Sequence, residues 1–323
     1  MLQTFESFEV IVVDNGSTDG SAEYVTSNFP SVRVIENGRN LGFAAGNNVG
    51  MKASHGRYVV LLNNDTRVSK DLLESLVHVA QADGRIGSVG CGIVQEDRSV
   101  KYGPVFLTRS GVILGIGEVI QPQNNKNHLI ECLANCGCAV LYSKSALDHV
   151  GLFDEDFWSD WEDHDLGYRL ALAGYRNVFI PVSNVLHKGG GGFGSPYSLQ
   201  RTIRVTRNSL ATYFKNFEAK NILLKFLPIF LLIIPLKGAL NPVLYEFSIL
   251  GFRFSRRKVD GGEIRTLRRS YGGWVRGYVA FLRIMPFLAR KRSEVQGTRK
   301  TADSRIREAQ QVKIARPVRP PAV

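Results

Sequence analysis

Four carboxylates fall within six positions, Asp160, Glu162, Asp163 and Asp165, in the segment SDWEDHDLGYRLALAGY. A helix dipole stabilises acidic side chains in its first turn by about 0.3–1 kcal/mol each, but four exceed what capping requires. Like charges this close repel, which raises at least one pKa toward the range of a general base. Two further carboxylates end apolar runs: Asp14 closes EVIVVD and Asp65 closes RYVVLLNND. Each has a structural reading as a turn residue. His187 ends SNVLH, and a lone histidine at a strand end reads by itself as structural. Cys132, Cys136 and Cys138 lack a fourth ligand at zinc spacing and read as buried thiols.

These residues need a frame. EVIVVD is a β-branched run followed by the turn cluster Asn15 to Gly20 and a helix through about Phe29; Asn15 and Asp19 suit its capping. VRVIEN alternates as a strand, Phe43 to Ser54 reads as a helix, and RYVVLLNND as a strand buried on both faces. Ser69 is expected to cap a helix to about Ala82, and IGSVGCGIV is the next strand. Residues 95 to 135 lose periodicity and read as loops or hairpins over the site. AVLYS then gives a strand, a helix follows the acidic cluster with Gly174 as its stop, and NVFIP and SNVLHK read as strands. The alternation predicts an α/β fold with a mainly parallel central sheet flanked by helices. Ligands bind such sheets beyond the strand C-termini, where Asp14 and Asp65 sit.

Five segments in this order, VIVVDNGSTDGS, NLGFAAGNNVG, LLNNDT, FDEDFWSDWEDHDLGYRLALAGYR and VLHKGGG, resemble the family 2 glycosyltransferases of GT-A fold, the rhamnosyltransferase-like branch in particular. The resemblance covers roughly residues 2 to 215. It implies that Asp14 accepts a hydrogen bond from the pyrimidine of a nucleoside diphosphate sugar. Asn40 and Gly42 would line the nucleotide pocket. Asn63-Asn64-Asp65 stands where the family carries an Asp-x-Asp metal motif and keeps only the last carboxylate, so Asn64 and Asp65 face the donor. Asp65 and His187 would hold the cation, imidazole suiting Mn²⁺ better than Mg²⁺. The catalytic base lies in the Glu162–Asp163 pair, with Asp163 the first choice. No serine or cysteine constellation for a covalent intermediate is present, so the reaction is a single displacement with inversion. Members of the family begin with a strand and helix reading roughly VSVVIVTYN, ahead of the segment that starts here at about Leu2, and an N-terminally truncated domain is the expectation.

The net charge of +12 divides unevenly. Residues 1 to 198 hold 15 Lys and Arg against 22 Asp and Glu, a balance of −7; residues 199 to 323 hold 26 against 7, a balance of +19. The acidic body, and the lack of interleaved aromatics in the tail, argue against nucleic acid. Residues 216 to 292 read as a helical membrane-associating extension. The longest uncharged run there, Phe226 to Leu236, is 11 residues, against the roughly 20 needed to span a bilayer. Arg269, Arg276, Arg283 and Arg290 recur every seven residues, with Leu267, Tyr271, Trp274, Tyr278, Leu282 and Leu288 on the other face. That is a basic amphipathic helix suited to an anionic membrane surface. Residues 293 to 323 are expected to be disordered. Few cysteines and no apolar leader place the chain in the cytoplasm, at the inner face of the membrane. The expected function is transfer of a sugar, such as rhamnose, to a lipid-linked or cell-surface polysaccharide acceptor. The alternative is an inactive sugar-nucleotide or glycan-binding scaffold.

Overall fold

The computed structural model describes residues 3–95, 101–108, 111–115, 129–188, 198–224, 226 and 261–310. The first unit is β1 (Ile11–Asp14), α1 (Ser21–Asn28) and β2 (Arg33–Glu36), the two strands pairing in parallel with Asp14 opposite Glu36. The turn after β1 needs a glycine at position 16: its φ is +82°, and a Cβ there would lie 2.8 Å from the Arg39 Cα. Helix α2 (Gly42–Ala53) follows, then β3 (Tyr58–Leu62), β4 (Thr66–Val68), α3 (Leu72–Gln81) and β5 (Ile86–Gln95). Next come β6 (Lys101–Tyr102), β7 (Val105–Leu107), β8 (Ile113–Gly115) and β9 (Ile130–Cys132). The body closes with β10 (Ala139–Ser143), α4 (Lys144–Val150), α5 (Glu162–Leu172), β11 (Arg176–His187) and α6 (Leu199–Asn216). Two C-terminal helices remain, α7 (Gly261–Gly297) and α8 (Asp303–Ala309).

The main sheet runs β3-β10-β5-β11-β4, with β6 on β5 and β9 on β11. Its ladders are mixed rather than mainly parallel. Only β5–β11 pairs in parallel there, while β10 runs antiparallel to both β3 and β5, and β4 antiparallel to β11. The reason is topological. The described parts of residues 101 to 135 form strands and no crossover helix, and the chain enters between β3 and β5 in the opposite sense.

Helices cover the sheet as the apolar spacing requires. On one side α2 sets Ala44 and Met51 against Val59, Leu61 and Val140; elsewhere α3 buries Leu72, Leu76, Val77 and Ala80 against Ile86, Val89 and Cys91. Helix α3 starts later than Ser69, because Thr66–Val68 is drawn into a short strand on β11. NVFIP and SNVLHK are one twelve-residue strand, its register shifting between Ile180 and Ser183.

The described C-terminal helices pack into the same core, including residues 293–310 of the tail expected to be disordered; residues 227–260 and 311–323 lie outside the described residues. Helix α7 lies along α6, and Phe281, Leu288, Val295 and Ile306 share a cluster with Leu133, Tyr168, Leu172, Leu210 and Tyr213. Glycine makes the approach possible: a Cβ at Gly277 would stand 2.6 Å from the Ile203 carbonyl oxygen. Residues 303–309 form α8, whose Asp303 is fully buried and accepts from Tyr168 Oη (3.1 Å), Asn221 Nδ2 (2.5 Å) and the Glu218 N–H (3.0 Å). Polar composition suggested disorder there, but one aspartate collects buried donors that otherwise lack an acceptor. Among the described residues no helix is long and apolar enough to cross a membrane.

A buried charge cluster joins α5, α6 and α7. The Lys215 side chain is 2% exposed, with Nζ 2.6 Å from Asp154 and 3.0 Å from Asp165; Asp154 also takes Lys291, and Asp165 takes Arg169 at 2.9 Å. Removing one partner of such a cluster leaves uncompensated buried charge. Lys215→Met is therefore expected to lower unfolding free energy by about 3–5 kcal/mol in denaturant titration. A loss under 1 kcal/mol would show that the cluster is not a structural keystone.

Candidate active site

Register builds the first half of the site. Antiparallel pairing of β11 with β4 puts His187 opposite Thr66, which brings His187 Nε2 to 3.0 Å from Asp65 Oδ1. The backbone locks this corner: the Lys188 N–H donates to the Asp65 carbonyl (2.8 Å), and the Asn63 N–H to the Cys138 carbonyl (2.9 Å). Asn64 is exposed beside them. One carboxylate and one imidazole converging at the end of a sheet fit a cation that a bound diphosphate would help to ligate. No group of three or more His, Cys, Asp or Glu that could hold a metal occurs among the described residues. The Cys138 thiol beside Asp65 is pushed up to about 12 by burial and stays a neutral thiol.

The second half is the first turn of α5. The loop into it carries three non-glycine residues at positive φ, Trp158 (62°), Asp160 (65°) and Trp161 (77°). Each costs of order 1–3 kcal/mol, which persists only where neighbours enforce it. Asn208 does so: its Nδ2 donates to the carbonyls of Phe157 (2.9 Å), Ser159 (2.9 Å) and Asp160 (2.7 Å). Asp163 Oδ2 accepts the Gly137 N–H at 2.9 Å, and Oδ1 lies 2.6 Å from His164 Nδ1. The segment Cys136–Cys138 thus carries Asp163 through Gly137 and the Asp65 corner through Cys138.

The four clustered carboxylates do not share one site. Asp160 pairs with Arg201 and Arg204, Asp165 with Arg169 and Lys215. The remaining two are split. Burial, reinforced by the Asp163 charge, holds the Glu162 carboxyl well above the usual carboxylate range, and its Oε2 has no hydrogen-bond partner. Burial would raise Asp163 as well, but His164 and the Gly137 N–H outweigh it and hold Asp163 below its ordinary value. The two adjacent carboxyls are thus shifted in opposite directions.

The N-terminal candidates divide. Both Asp14 oxygens accept from the turn that follows, from the Gly16 N–H (3.0 Å) and the Ser17 N–H (3.0 Å to Oδ2). Asp14 therefore caps its own turn. Asn15, expected as a cap, instead donates to the Gly42 carbonyl (3.0 Å) and accepts from Asn37 (2.8 Å), because the β1–β2 pairing brings the loops together. Asp19 does cap, accepting from the Ser21 N–H at 3.1 Å. Asn40 Oδ1 accepts the Gly42 N–H (2.8 Å). Gly42 has φ +82°, and a Cβ on it would meet the Trp158 ring at 2.5 Å, so this turn and the α5 loop interlock. His164 and Trp158 were missed in the sequence. The adjacency of His164 to Asp163 was the available signal; for Trp158 there was none.

Glu162 gives a pH signature. A carboxyl whose folded pKa is raised costs no stability below its unfolded pKa, about 4.3, and progressively more as pH rises above it. The melting temperature of Glu162→Gln relative to the parent protein should therefore rise from pH 4 to pH 8, by roughly 2–4 °C per kcal/mol relieved. A difference constant across that window would show that Glu162 ionises freely.

Residues 1–151 match the family model described as glycosyl transferase family 2. The chain is 29% identical over 210 residues to an N-acetylglucosaminyl-diphospho-decaprenol L-rhamnosyltransferase of Mycobacterium tuberculosis, covering 58% of this chain and 68% of that protein. It is 27% identical over 184 residues to a poly-beta-1,6-N-acetyl-D-glucosamine synthase of Staphylococcus aureus, covering 55% and 42%. Among solved structures, S. aureus TarS 1–349 in complex with UDP aligns with TM-score 0.49 and 18% identity, over 95% of this chain and 83% of that one. Over residues 1–151 the chain is thus similar to the glycosyl transferase family 2 domain.

Proposed function

We propose that this domain transfers a sugar, rhamnose or a related hexose, from a nucleoside diphosphate to a lipid-linked or polysaccharide acceptor, with inversion. The observation that carries the reading is the Cys136–Cys138 segment, which ties Asp163 on one side and the Asp65–His187 corner on the other. The donor's nucleotide lies toward Asp14, Asn40 and Gly42. Asp65 and His187 would hold a divalent cation, Mg²⁺ or Mn²⁺, which when bound neutralises charge on the departing diphosphate. Asp163, the ionised member of the pair, takes the proton of the acceptor hydroxyl. That oxygen attacks the anomeric carbon from the face opposite the diphosphate, and the carbon–oxygen bond to the diphosphate breaks. His164, 2.6 Å from Asp163 Oδ1, holds the carboxylate in position. The inactive-scaffold alternative finds no support, because the acidic pair, Asp65 and His187 are all present.

The acceptor reading is supported by the surface of α7. Arg276, Arg283 and Arg290 are exposed, and between them stand Val275, Val279, Leu282, Met285 and Phe287, the last 66% exposed. The heptad arginines therefore share a face with apolar residues instead of opposing them; the helix turns its inner side, Gly273, Gly277, Phe281 and Leu288, onto α6. The side chain of Arg269 lies outside the described residues. A mixed basic and apolar face suits the cytoplasmic surface of an anionic membrane, where the lipid-linked acceptor resides.

Three measurements test this. Nucleoside diphosphate should bind at least tenfold more tightly in Mn²⁺ than in chelator by calorimetry, and Asp65→Ala should abolish the difference; equal binding removes the cation. Asp163→Asn should lower kcat by about 10²–10⁴-fold with donor affinity nearly intact; collapse of donor binding would make Asp163 a binding residue. In vesicle flotation, Arg276, Arg283 and Arg290 changed together to Gln should weaken binding to anionic vesicles roughly 100-fold, at about 1 kcal/mol per arginine. Binding to neutral vesicles should barely change, and equal loss on both would point to misfolding.

A further inference from the structure

An open groove of about 530 Å³ lies between the strained loop before α5 and the paired helices α6 and α7. Gln200, Ile203, Arg204 and Arg207 line it from one face of α6, Trp158 forms a wall, and Ala280 of α7 closes the far side. The Arg204 guanidinium sits 5.0 Å from the centre of the Trp158 ring.

The charges do not cancel. Arg201 and Arg204 both bear on the single carboxylate of Asp160. Arg207 makes no ion pair among the described residues; its guanidinium is aimed by Asn208 Oδ1 (2.9 Å) and by the Asp156 carbonyl (2.8 Å). Glu155 and Asp156 also line the groove, and each has a lysine partner, Asp156 with Lys291 at 2.6 Å and Glu155 with Lys52 at 3.6 Å. Burial lowers the Arg207 pKa against the opposing charge of Asp156, and the neighbouring Arg204 adds to the lowering. Guanidinium groups in a groove are suited to phosphoryl oxygens, which they grip in a planar fork.

We propose that this groove binds the phosphoryl group of a glycosyl phosphate or diphosphate acceptor, Arg207 and Arg204 taking its charge and the Trp158 ring the adjoining sugar. The inference rests on the glycosyltransferase reading and adds to it a site for the second substrate. The donor's diphosphate belongs at the Asp65–His187 corner, which contributes no residue to the groove. A second phosphoryl site implies a second phosphorylated substrate. The groove also stands in the right place. Trp158 is packed on Gly42 and its carbonyl accepts the Ala44 N–H (3.0 Å), so one residue separates the nucleotide side from the groove, four and five positions before Glu162 and Asp163. On the other side, Ala280 adjoins Val279 on the exposed face of α7. A lipid tail attached to the phosphoryl group can leave along that face into the membrane.

The test uses the full chain with its donor side saturated by nucleoside diphosphate and Mn²⁺, titrated with inorganic pyrophosphate while tryptophan fluorescence is read. Pyrophosphate should bind, and Arg207→Gln should weaken it at least tenfold with nucleotide affinity unchanged. Arg207 also bonds the loop, so Gln200→Glu supplies a second variant: position 200 is exposed, and a new negative charge there should weaken pyrophosphate comparably without a fold defect. A soluble short-chain prenyl diphosphate sugar should compete with pyrophosphate, and the same glycolipid lacking phosphate should not. Competition by phosphatidylglycerol vesicles instead would assign the groove to a membrane headgroup and overturn the proposal. Loss of nucleotide binding in either variant would assign it to the donor and overturn it too. No pyrophosphate binding by a protein that does bind nucleotide would refute the groove alone, whereas absence of nucleotide binding would refute the glycosyltransferase reading itself.

Discussion

The Lys215 ammonium is the constraint on which the site's geometry depends. It is buried between Asp154 and Asp165, and Lys291 and Arg169 complete the neutralisation. Ions are taken out of water at a cost of several kcal/mol each, repaid only when every partner is in place. Because Asp165 lies two residues beyond Asp163, the clamp fixes the rotation of α5 and hence the direction of its first turn. Arg169 extends the hold by donating to the carbonyls of Val150 (2.7 Å), Gly151 (3.1 Å) and Leu152 (2.6 Å). The turn of chain that leads toward the loop before α5 is thereby tied to α5 itself.

The loop at residues 158 to 161 stores strain that this clamp and Asn208 must sustain. Three consecutive donations from one side-chain amide hold its carbonyls, and Asp160 is drawn to Arg201 and Arg204 on the same helix. Helix α6 is therefore the scaffold against which the acidic pair is positioned. Helix α7 in turn backs α6 through glycine contacts, and Arg292 donates to the carbonyls of Phe214 (2.5 Å) and Phe217 (2.7 Å) at the α6 C-terminus. Through this chain of contacts the exposed face of α7 is coupled by way of α6 to the strained loop before α5.

The polar chemistry follows from neighbours more than from residue type. Glu162 and Asp163 are adjacent, equally buried and chemically alike. Asp163 reaches a backbone N–H and an imidazole while Glu162 Oε2 reaches nothing, so burial wins for one and hydrogen bonding for the other. Asp160 and Asp165 look identical to them in the sequence and are neutralised by arginine and lysine. The repulsion inferred from their spacing falls on Glu162, which feels the charge of Asp163 first and of Asp160 after it.

Much of this was fixed locally. The β-branched runs at 9–14 and 58–62, the turn glycines at 16 and 42, the helical spacing after Trp161 and the ordered succession of acidic motifs all act within a few residues, and their elements and the candidate residues they carry were legible there. The split of charge between an acidic body and a basic C-terminal third was equally plain. What escaped depends on partners remote in sequence. The reversed entry of β10, the fusion of two short runs into β11, the turning of Asn15 toward Gly42 and Asn37, and the burial of Asp303 against Tyr168 and Asn221 are each decided by which groups the fold brings together. Helical periodicity identified α7 as amphipathic but could not say which face is inner, because Gly273 and Gly277 contribute nothing to a hydrophobic pattern. Their lack of a side chain matters only once α6 lies against them, and that contact is a property of the tertiary structure alone.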